Sequence, residues 1–406
     1  MNVEILTIGN ELLSGKVVDT NSTFIAKELS LQGFSIVRLS TAGDTIQDIE
    51  QALKEAWNRA NIIIMSGGLG PTIDDLTTDG ICAFFHCTTK FDEDSYIAME
   101  KRYKSLYKIM PECNKKQAFI PTLATVMPNT QGTAPGFYIQ QDEHFVFVMP
   151  GVPHEMKAMF QLSVLPVLQQ AYPLEKPIRK IFRTTNISES LLASSLDQLS
   201  WLPPQVQVSF LPEYQGVDIH LTYSNELKDI MDVNITKIKD ITRPYCYSEK
   251  MESIEEVVAR LLTEKNLTIA CAESCSGGLL ANRLTDISGS SAYLKESYVT
   301  YSNEAKIKLL GVSMTTIERY GAVSEECAKE MAYGVRKKSN SDIGIAITGI
   351  AGPTGATPLK PLGLVYIGYC DRNICTVEQK IFTENRLRHK LRTTQFALYK
   401  IWQQIK

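Results

Sequence analysis

Histidine is scarce in this chain: five among 406 residues, at His86, His144, His154, His220 and His389. Only His389 lies beyond residue 250. A Ser–His–Asp triad in the last third would therefore have to recruit a residue inside a basic, helix-patterned segment. Long apolar runs are missing too. None reaches the roughly 18 residues of a membrane span, and the opening residues Met1 to Ile8 lack the basic start and apolar core of a secretory signal. Charge of one sign is not in excess. A net charge of −3 gives no basic field for nucleic acid or an anionic membrane. These absences make the cytoplasm the expected location, with neither membrane nor nucleic acid as a partner. The nine cysteines are scattered, and the pairs Cys82/Cys87, Cys271/Cys275 and Cys370/Cys375 do not have C-x-x-C zinc spacing. Most are expected to be reduced core residues. Internal repeats and low-complexity tracts are also lacking.

What is present is an ordinary soluble composition, 44% hydrophobic and 21% charged, in a chain too long for one core. Strand-like Val3–Ile8, Phe34–Leu39 and the apolar Asn61-Ile-Ile-Ile-Met-Ser66 alternate with helical spacing over Asn21–Leu31 and from Ile46 to Ala60. That alternation predicts a covered, parallel α/β sheet with ligands at its strand ends. A proline-punctuated stretch from Pro173 to Tyr247, with strands at Val206–Phe210 and Val217–Tyr223, reads as a small α+β connecting domain. Strands near Leu267–Ala270, Ile343–Thr348 and Leu364–Tyr369 alternate with helices in the last part. The expected domains are 1–170, 171–250 and 251–406.

The richest chemistry lies in Ile269-Ala-Cys-Ala-Glu-Ser-Cys-Ser-Gly-Gly278. A strand ending in a Ser/Gly turn before a helix places the Ser274 hydroxyl and several backbone N–H groups at a helix N-terminus, where negative charge is favoured. Acyl transfer needs a nucleophile and oxyanion donors. With histidine scarce, lysine is the other activator, provided its pKa is lowered. Lys306, in a segment that Ser302 or Asn303 would cap, is the candidate. The bland reading is a capped helix start and a solvated lysine. Cys271 or Cys275 could be the nucleophile instead, and Thr348-Gly-Ile-Ala-Gly-Pro353 could be a plain turn or a phosphate loop built on Gly349 and Gly352. Arg386, Arg388 and Arg392 are candidates for a phosphate; otherwise they are the solvated face of the last helix.

Ala272–Gly278, Gly289-Ser-Ser291, Val299–Lys306, Gly321-Ala-Val-Ser324, Thr348–Pro353 and Lys360-Pro-Leu-Gly363 occur in order. Together they resemble the C-terminal domain of the CinA family. That resemblance implies a nicotinamide mononucleotide deamidase with a Ser/Lys arrangement and no cofactor. It implies Ser274 as nucleophile and Lys306 as base, Tyr301 assisting proton transfer, Glu273 and Thr348 shaping the pocket beside Gly277 and Gly278, and Ser291 as a second serine of the pattern. Ser276 for threonine, Glu296-Ser297 for a Gly-rich pair and Ala356 for glycine depart from the family pattern.

Near the other end, Gly67-Gly-Leu-Gly-Pro-Thr-Ile-Asp-Asp75 follows a strand, so its backbone can approach a phosphate, and Asp74 and Asp75 offer hard oxygen ligands. An Asp pair is often only a helix cap. Gly9 to Lys16 has the wrong spacing for a P-loop, and His154-Glu155 lacks a second zinc-binding histidine. Ile8–Leu13, Asp19-Thr-Asn21, Gly67–Thr77, Asn129–Gly136 and Pro150–Met156 resemble the N-terminal CinA domain, which implies a molybdopterin-binding-like three-layer α/β fold. In full-length members it is associated with ADP-ribose pyrophosphatase activity that needs a divalent metal (Mg, Mn or Co). The resemblance implies Glu11, Asn21, Asp44, Asp74 and Asp75 near metal or ribose, and Gly67, Gly68, Gly70 and Thr72 on phosphate. The expectation is a bifunctional hydrolase of pyridine-nucleotide salvage, a homodimer acting on nicotinamide mononucleotide and ADP-ribose. Its rivals are a molybdopterin-handling protein, which would bind molybdopterin but not ADP-ribose, and a non-enzymatic competence or DNA-damage factor, which would show salt-sensitive DNA binding.

Overall fold

Ile62–Ser66 is buried along its whole length. Ile62 and Ile64 join a core with Val3, Ile5, Phe145 and Phe147. Ile63 and Met65 join another with Leu6, Ile8, Val146 and Val148. Alternate residues of one strand thus feed cores on opposite faces, which requires a sheet covered on both sides. The helix Thr20–Leu31 supplies Ile25 and Leu29 to the first core. The helix Ile46–Trp57 supplies Ile49, Leu53 and Ala56 to the second.

The computed structural model describes residues 1–106 and 108–406, which divide into two compact units, Met1–Pro177 and Ile178–Lys406. The first unit carries a six-stranded sheet in the order Ser35–Ala42, Asn2–Ile8, Ile62–Ser66, His144–Met149, Gly136–Gln141, Thr125–Met127. The first four strands are parallel, Gly136–Gln141 runs antiparallel to them, and Thr125–Met127 turns back antiparallel to Gly136–Gln141. The parallel pairing expected of the strands at Val3–Ile8, Phe34–Leu39 and Asn61–Ser66 is present, and the sheet adds antiparallel strands at one edge. The tight link from Gln141 to His144, with Asp142 at φ 52°, makes a hairpin, and a two-residue link can join only antiparallel strands.

The second unit holds two sheets. The first runs Gln207–Glu213, Gly216–Tyr223, Ile178–Thr184, Cys246–Ser248 and is antiparallel. Val217, Ile219, Leu221 and Tyr223 alternate inward against Met231, Ile235 and Ile238 of the helix Lys228–Thr242. The second sheet runs Leu294–Val299, Ile269–Glu273, Ile343–Gly349, Leu364–Cys370, Cys375–Ile381. Its first three strands are parallel, Leu364–Cys370 runs antiparallel to them, and Cys375–Ile381 turns back antiparallel to Leu364–Cys370. Cys370 and Cys375 face each other across the hairpin of those two strands. The other seven are free. Among the described residues no helix is long and apolar enough to cross a membrane.

Candidate active site

The strand Ile269–Glu273 ends at the turn that carries Ser274, at the carboxyl edge of the parallel strands. The Ser274 N–H donates to Ile347 O at 2.9 Å, which seats the residue beside Thr348 on the next strand. Gly277 and Gly278 follow at φ +64° and +91°, left-handed conformations that admit glycine without strain. The helix Leu279–Thr285 then begins, and Glu273 serves as its anchor. The buried Glu273 carboxylate accepts N–H bonds from Gly278, Leu280 and Ala281 at 3.1, 3.0 and 2.9 Å. Three charge-assisted bonds at a helix N-terminus hold the turn rigid. Glu273 therefore faces the helix rather than a reacting group. Glu273→Ala is expected to lower stability by about 2 kcal/mol, read as a denaturant midpoint shifted at constant m-value.

Lys306 reaches Ser274 from a separate element. Ser302 Oγ accepts the Ala305 N–H at 3.1 Å and caps the helix Asn303–Leu310, whose first turn turns Lys306 inward. Lys306 is only 1% exposed, and its Nζ lies 3.1 Å from Ser274 Oγ. Nζ also lies 2.7 Å from Thr300 O and 3.3 Å from Tyr301 O. Burial lowers the Lys306 pKa, and among the described residues no carboxylate is ion-paired with it. A neutral amine has two N–H donors and one lone pair. As an ammonium Nζ donates to all three oxygens; as a neutral amine it would donate to the two carbonyls and turn its lone pair to the Ser274 hydroxyl proton. Two further buried hydroxyls close in sequence to the pair's residues, Ser276 Oγ and Thr300 Oγ1, have no hydrogen-bond partner among the described residues.

The neighbouring thiols are poor rivals. Burial pushes the Cys275 thiol up to about 12 and the Cys271 thiol well above its ordinary range, so neither is a thiolate near neutrality. His389 is fully buried, with Nε2 3.2 Å from Gly363 O, and takes no part.

The remaining expected residues divide. Thr348 is buried beside Ser274, and its Oγ1 donates to Ala322 O at 2.7 Å, which holds the loop ahead of the helix Glu325–Ser339. Gly349 ends the same strand. Arg386 donates to Gly352 O at 2.8 Å and to the Tyr301 hydroxyl at 3.1 Å, so it joins the Gly352 loop to the rim of the site. Tyr301 offers an exposed ring there, while its carbonyl faces Lys306.

Ser291 is not brought to the pair. It precedes the strand Leu294–Val299, which runs parallel to Ile269–Glu273, and so sits at the opposite edge of the sheet from Ser274, roughly 17 Å of strand away. Arg388 and Arg392 are corrected as well. Two and six residues past Arg386 on the helix Arg386–Ile405, they lie off its face and line a different cavity. The residue that does share that face is Lys390, one turn beyond Arg386. A Cβ placed on Gly277 would come within 3.4 Å of its Nζ. The i,i+4 spacing was the available signal, and the denser run of arginines masked it.

In the first unit a cavity of about 430 Å³ is lined by Glu11, Asp19, Asn21, Asp44, Gly67, Gly68, Gly70, Asp74 and Asp75. Every expected residue of this end lines it except Thr72. The Thr72 N–H and hydroxyl instead turn inward to the Asp75 carboxylate. The Thr72 hydroxyl and the Asp74 backbone hold the Asp74 carboxyl below its usual range, with Lys116 nearby. Lys116 Nζ donates to Thr72 O and Asp75 O at 2.9 and 2.7 Å and so clamps the Gly-rich loop. No motif in the sequence marked it. Asn21 donates to Ser66 Oγ and Gly151 O, while its buried Oδ1 has no partner among the described residues. Among the described residues no three His, Cys, Asp or Glu side chains converge to hold a metal ion. The oxygen-only donor set fits a hard cation shared with a ligand's phosphates rather than caged by protein.

Fold and site define a two-unit α/β protein whose second unit buries a serine–lysine pair at its strand ends. A model described as the CinA C-terminal domain matches residues 251–405, and one described as a probable molybdopterin binding domain matches residues 4–170. The chain belongs to the competence-damage inducible (CinA) protein family. It is 40% identical over 413 residues to a CinA-like protein of Chloroherpeton thalassium, covering 98% of both chains. It is 39% identical over 402 residues to a Caldicellulosiruptor saccharolyticus protein named for competence and damage inducibility, again covering 98% of each. A crystal structure of CinA from Thermoplasma acidophilum is similar at 32% identity and TM-score 0.39, over 41% of this chain and 97% of that one.

Proposed function

We propose that the second unit is an amidohydrolase that converts nicotinamide mononucleotide to nicotinate mononucleotide and ammonia. The observation that carries this reading is a buried, pKa-lowered lysine amine 3.1 Å from a serine hydroxyl. Ser274 Oγ attacks the carboxamide carbon while Lys306 Nζ takes the hydroxyl proton. The oxyanion would take the Cys275 and Ser276 N–H groups, since those of Ser274, Gly277 and Gly278 are already engaged. The C–N bond breaks as Lys306 returns the proton to nitrogen, and ammonia leaves an acyl-serine ester. Water then attacks the ester carbon with Lys306 again as base, releasing the acid and regenerating Ser274. Lys390, near Gly277, and Arg386, at the Gly352 loop, would pair with the substrate's phosphate. The test is ammonia release from nicotinamide mononucleotide by the purified full chain, with product identified as nicotinate mononucleotide. No release at any pH from 6 to 10 would sink the reading.

For the first unit the same proposal gives ADP-ribose cleavage to AMP and ribose 5-phosphate. Asp74 and Asp75, with Glu11, would hold a divalent cation, which would neutralise charge on the pyrophosphate. The unpartnered Asn21 Oδ1 suits a ribose hydroxyl. Asp74→Ala and chelation are each expected to stop cleavage, measured as AMP formed. Full turnover in chelator would reject the metal. The match to a molybdopterin binding domain supports a second reading for this cavity, a pterin ligand. Tight molybdopterin binding without ADP-ribose binding would favour it. The proposal also carries the expected homodimer in the cytoplasm.

A further inference from the structure

Arg388 and Arg392, turned away from Ser274, line a cavity of about 900 Å³ between the four-stranded sheet and the last helix of the second unit. The size suits a whole nucleotide. Its floor is preorganised. Gln395, 4% exposed, donates to Thr185 Oγ1 at 3.0 Å and to Gln215 O at 2.9 Å, and accepts from Arg283 Nη2 at 2.6 Å. Every hydrogen-bonding group of the Gln395 amide is thereby engaged with the chain, so the floor needs no ligand to hold its shape. The walls differ. Arg392 is held by Glu384 and lies over the Phe382 ring at 5.0 Å. The Arg388 guanidinium is exposed and makes no ion pair among the described residues, and the same holds for the carboxylates of Glu189 and Glu213 across the cavity. Tyr214 adds an exposed ring.

One free guanidinium, two free carboxylates and an aromatic face match three parts of one ligand class. The guanidinium suits a phosphate. A carboxylate accepts both hydroxyls of a ribose diol, and a ring stacks on a base. We propose that this cavity is a second binding site, for a ribonucleoside 5′-monophosphate, separate from both the Ser274–Lys306 pair and the Gly-rich loop. It does not depend on the activities proposed above.

The probe is AMP added to the full chain, with hydrogen exchange read by segment. The expected result is AMP-dependent protection at residues 213–216 and 384–395. Arg388→Ala should raise the AMP concentration for half-protection there about tenfold, and Tyr214→Ala should do so to a lesser degree. Protection at residues 67–75 should be unchanged in both variants. 2′-Deoxy-AMP should bind more weakly than AMP, because the diol is lost. Protection confined to residues 67–75 or 273–280, or a half-protection concentration unmoved by Arg388→Ala, would overturn the proposal. Because the readout is protection rather than product, it stands or falls whether or not ammonia or AMP is ever released.

Discussion

Ser274→Ala should reduce ammonia release from nicotinamide mononucleotide by about 10⁴-fold or more, with the melting transition within a few degrees of the parent chain. The expectation rests on which groups Ser274 serves. Among the described residues its side chain hydrogen-bonds only with Lys306 Nζ, while the backbone bond to Ile347 O, which places the turn, survives the substitution. Structure and chemistry are therefore separable at this residue, unlike at Glu273, whose carboxylate holds three N–H groups. The residual rate should be insensitive to thiol reagents, because burial keeps Cys275 and Cys271 as thiols. A Ser274→Ala chain that keeps more than a tenth of the activity would show that another group attacks the amide. A quenched-flow burst of one ammonia per site in the parent chain, absent in the variant, would place the acyl-serine on the path.

The parts of this site that could be read from the sequence are those fixed by short-range rules. A strand, a Ser-Gly-Gly turn and a helix place Ser274, and Ser302 caps the helix that carries Lys306. Ile62–Ser66 is legible in the same way, because a fully apolar strand needs two covering layers. What was not legible depends on rotation and on pairing across the sheet. Arg386, Arg388 and Arg392 differ little in sequence, yet the 100° step of a helix sends the last two to another cavity and leaves Lys390 beside Gly277. Ser291 stands in a motif that reads as contiguous with the site, but it enters its strand at the edge opposite Ser274. Lys116 clamps the Gly-rich loop from more than forty residues away, through carbonyls that no side-chain pattern announces. The mixed sheets follow the same logic, since tight hairpins override the parallel order that alternating strands and helices imply.

The second large effect separates a base from a mere positive charge. Lys306→Arg keeps a cation that cannot deprotonate in this pH range, and Lys306→Met keeps the length without an amine. If Lys306 worked by charge alone, the arginine variant would retain activity. As a base it must be neutral, so both variants should lose about 10³-fold or more in kcat/KM. The pH profile carries the same distinction. Burial lowers the Lys306 pKa from its ordinary 10.5, so kcat/KM in the parent chain should rise with pH along a limb whose midpoint lies below 10.5 and then level off. Stability should move with it. In the unfolded chain the amine holds its proton up to 10.5, whereas in the folded chain it gives that proton up earlier. Between the two values the unfolded state binds more protons, so stability rises as pH rises through that window. Below the folded value the buried ammonium weighs on the fold in full. Lys306→Met, freed of that charge, should gain relative to the parent chain as pH falls, and the difference should fade as pH climbs toward 10.5. Parallel activity limbs in the parent and arginine chains, or a methionine variant whose relative stability ignores pH, would show that Lys306 stays charged in the folded protein, and a serine beside a permanent ammonium has no base.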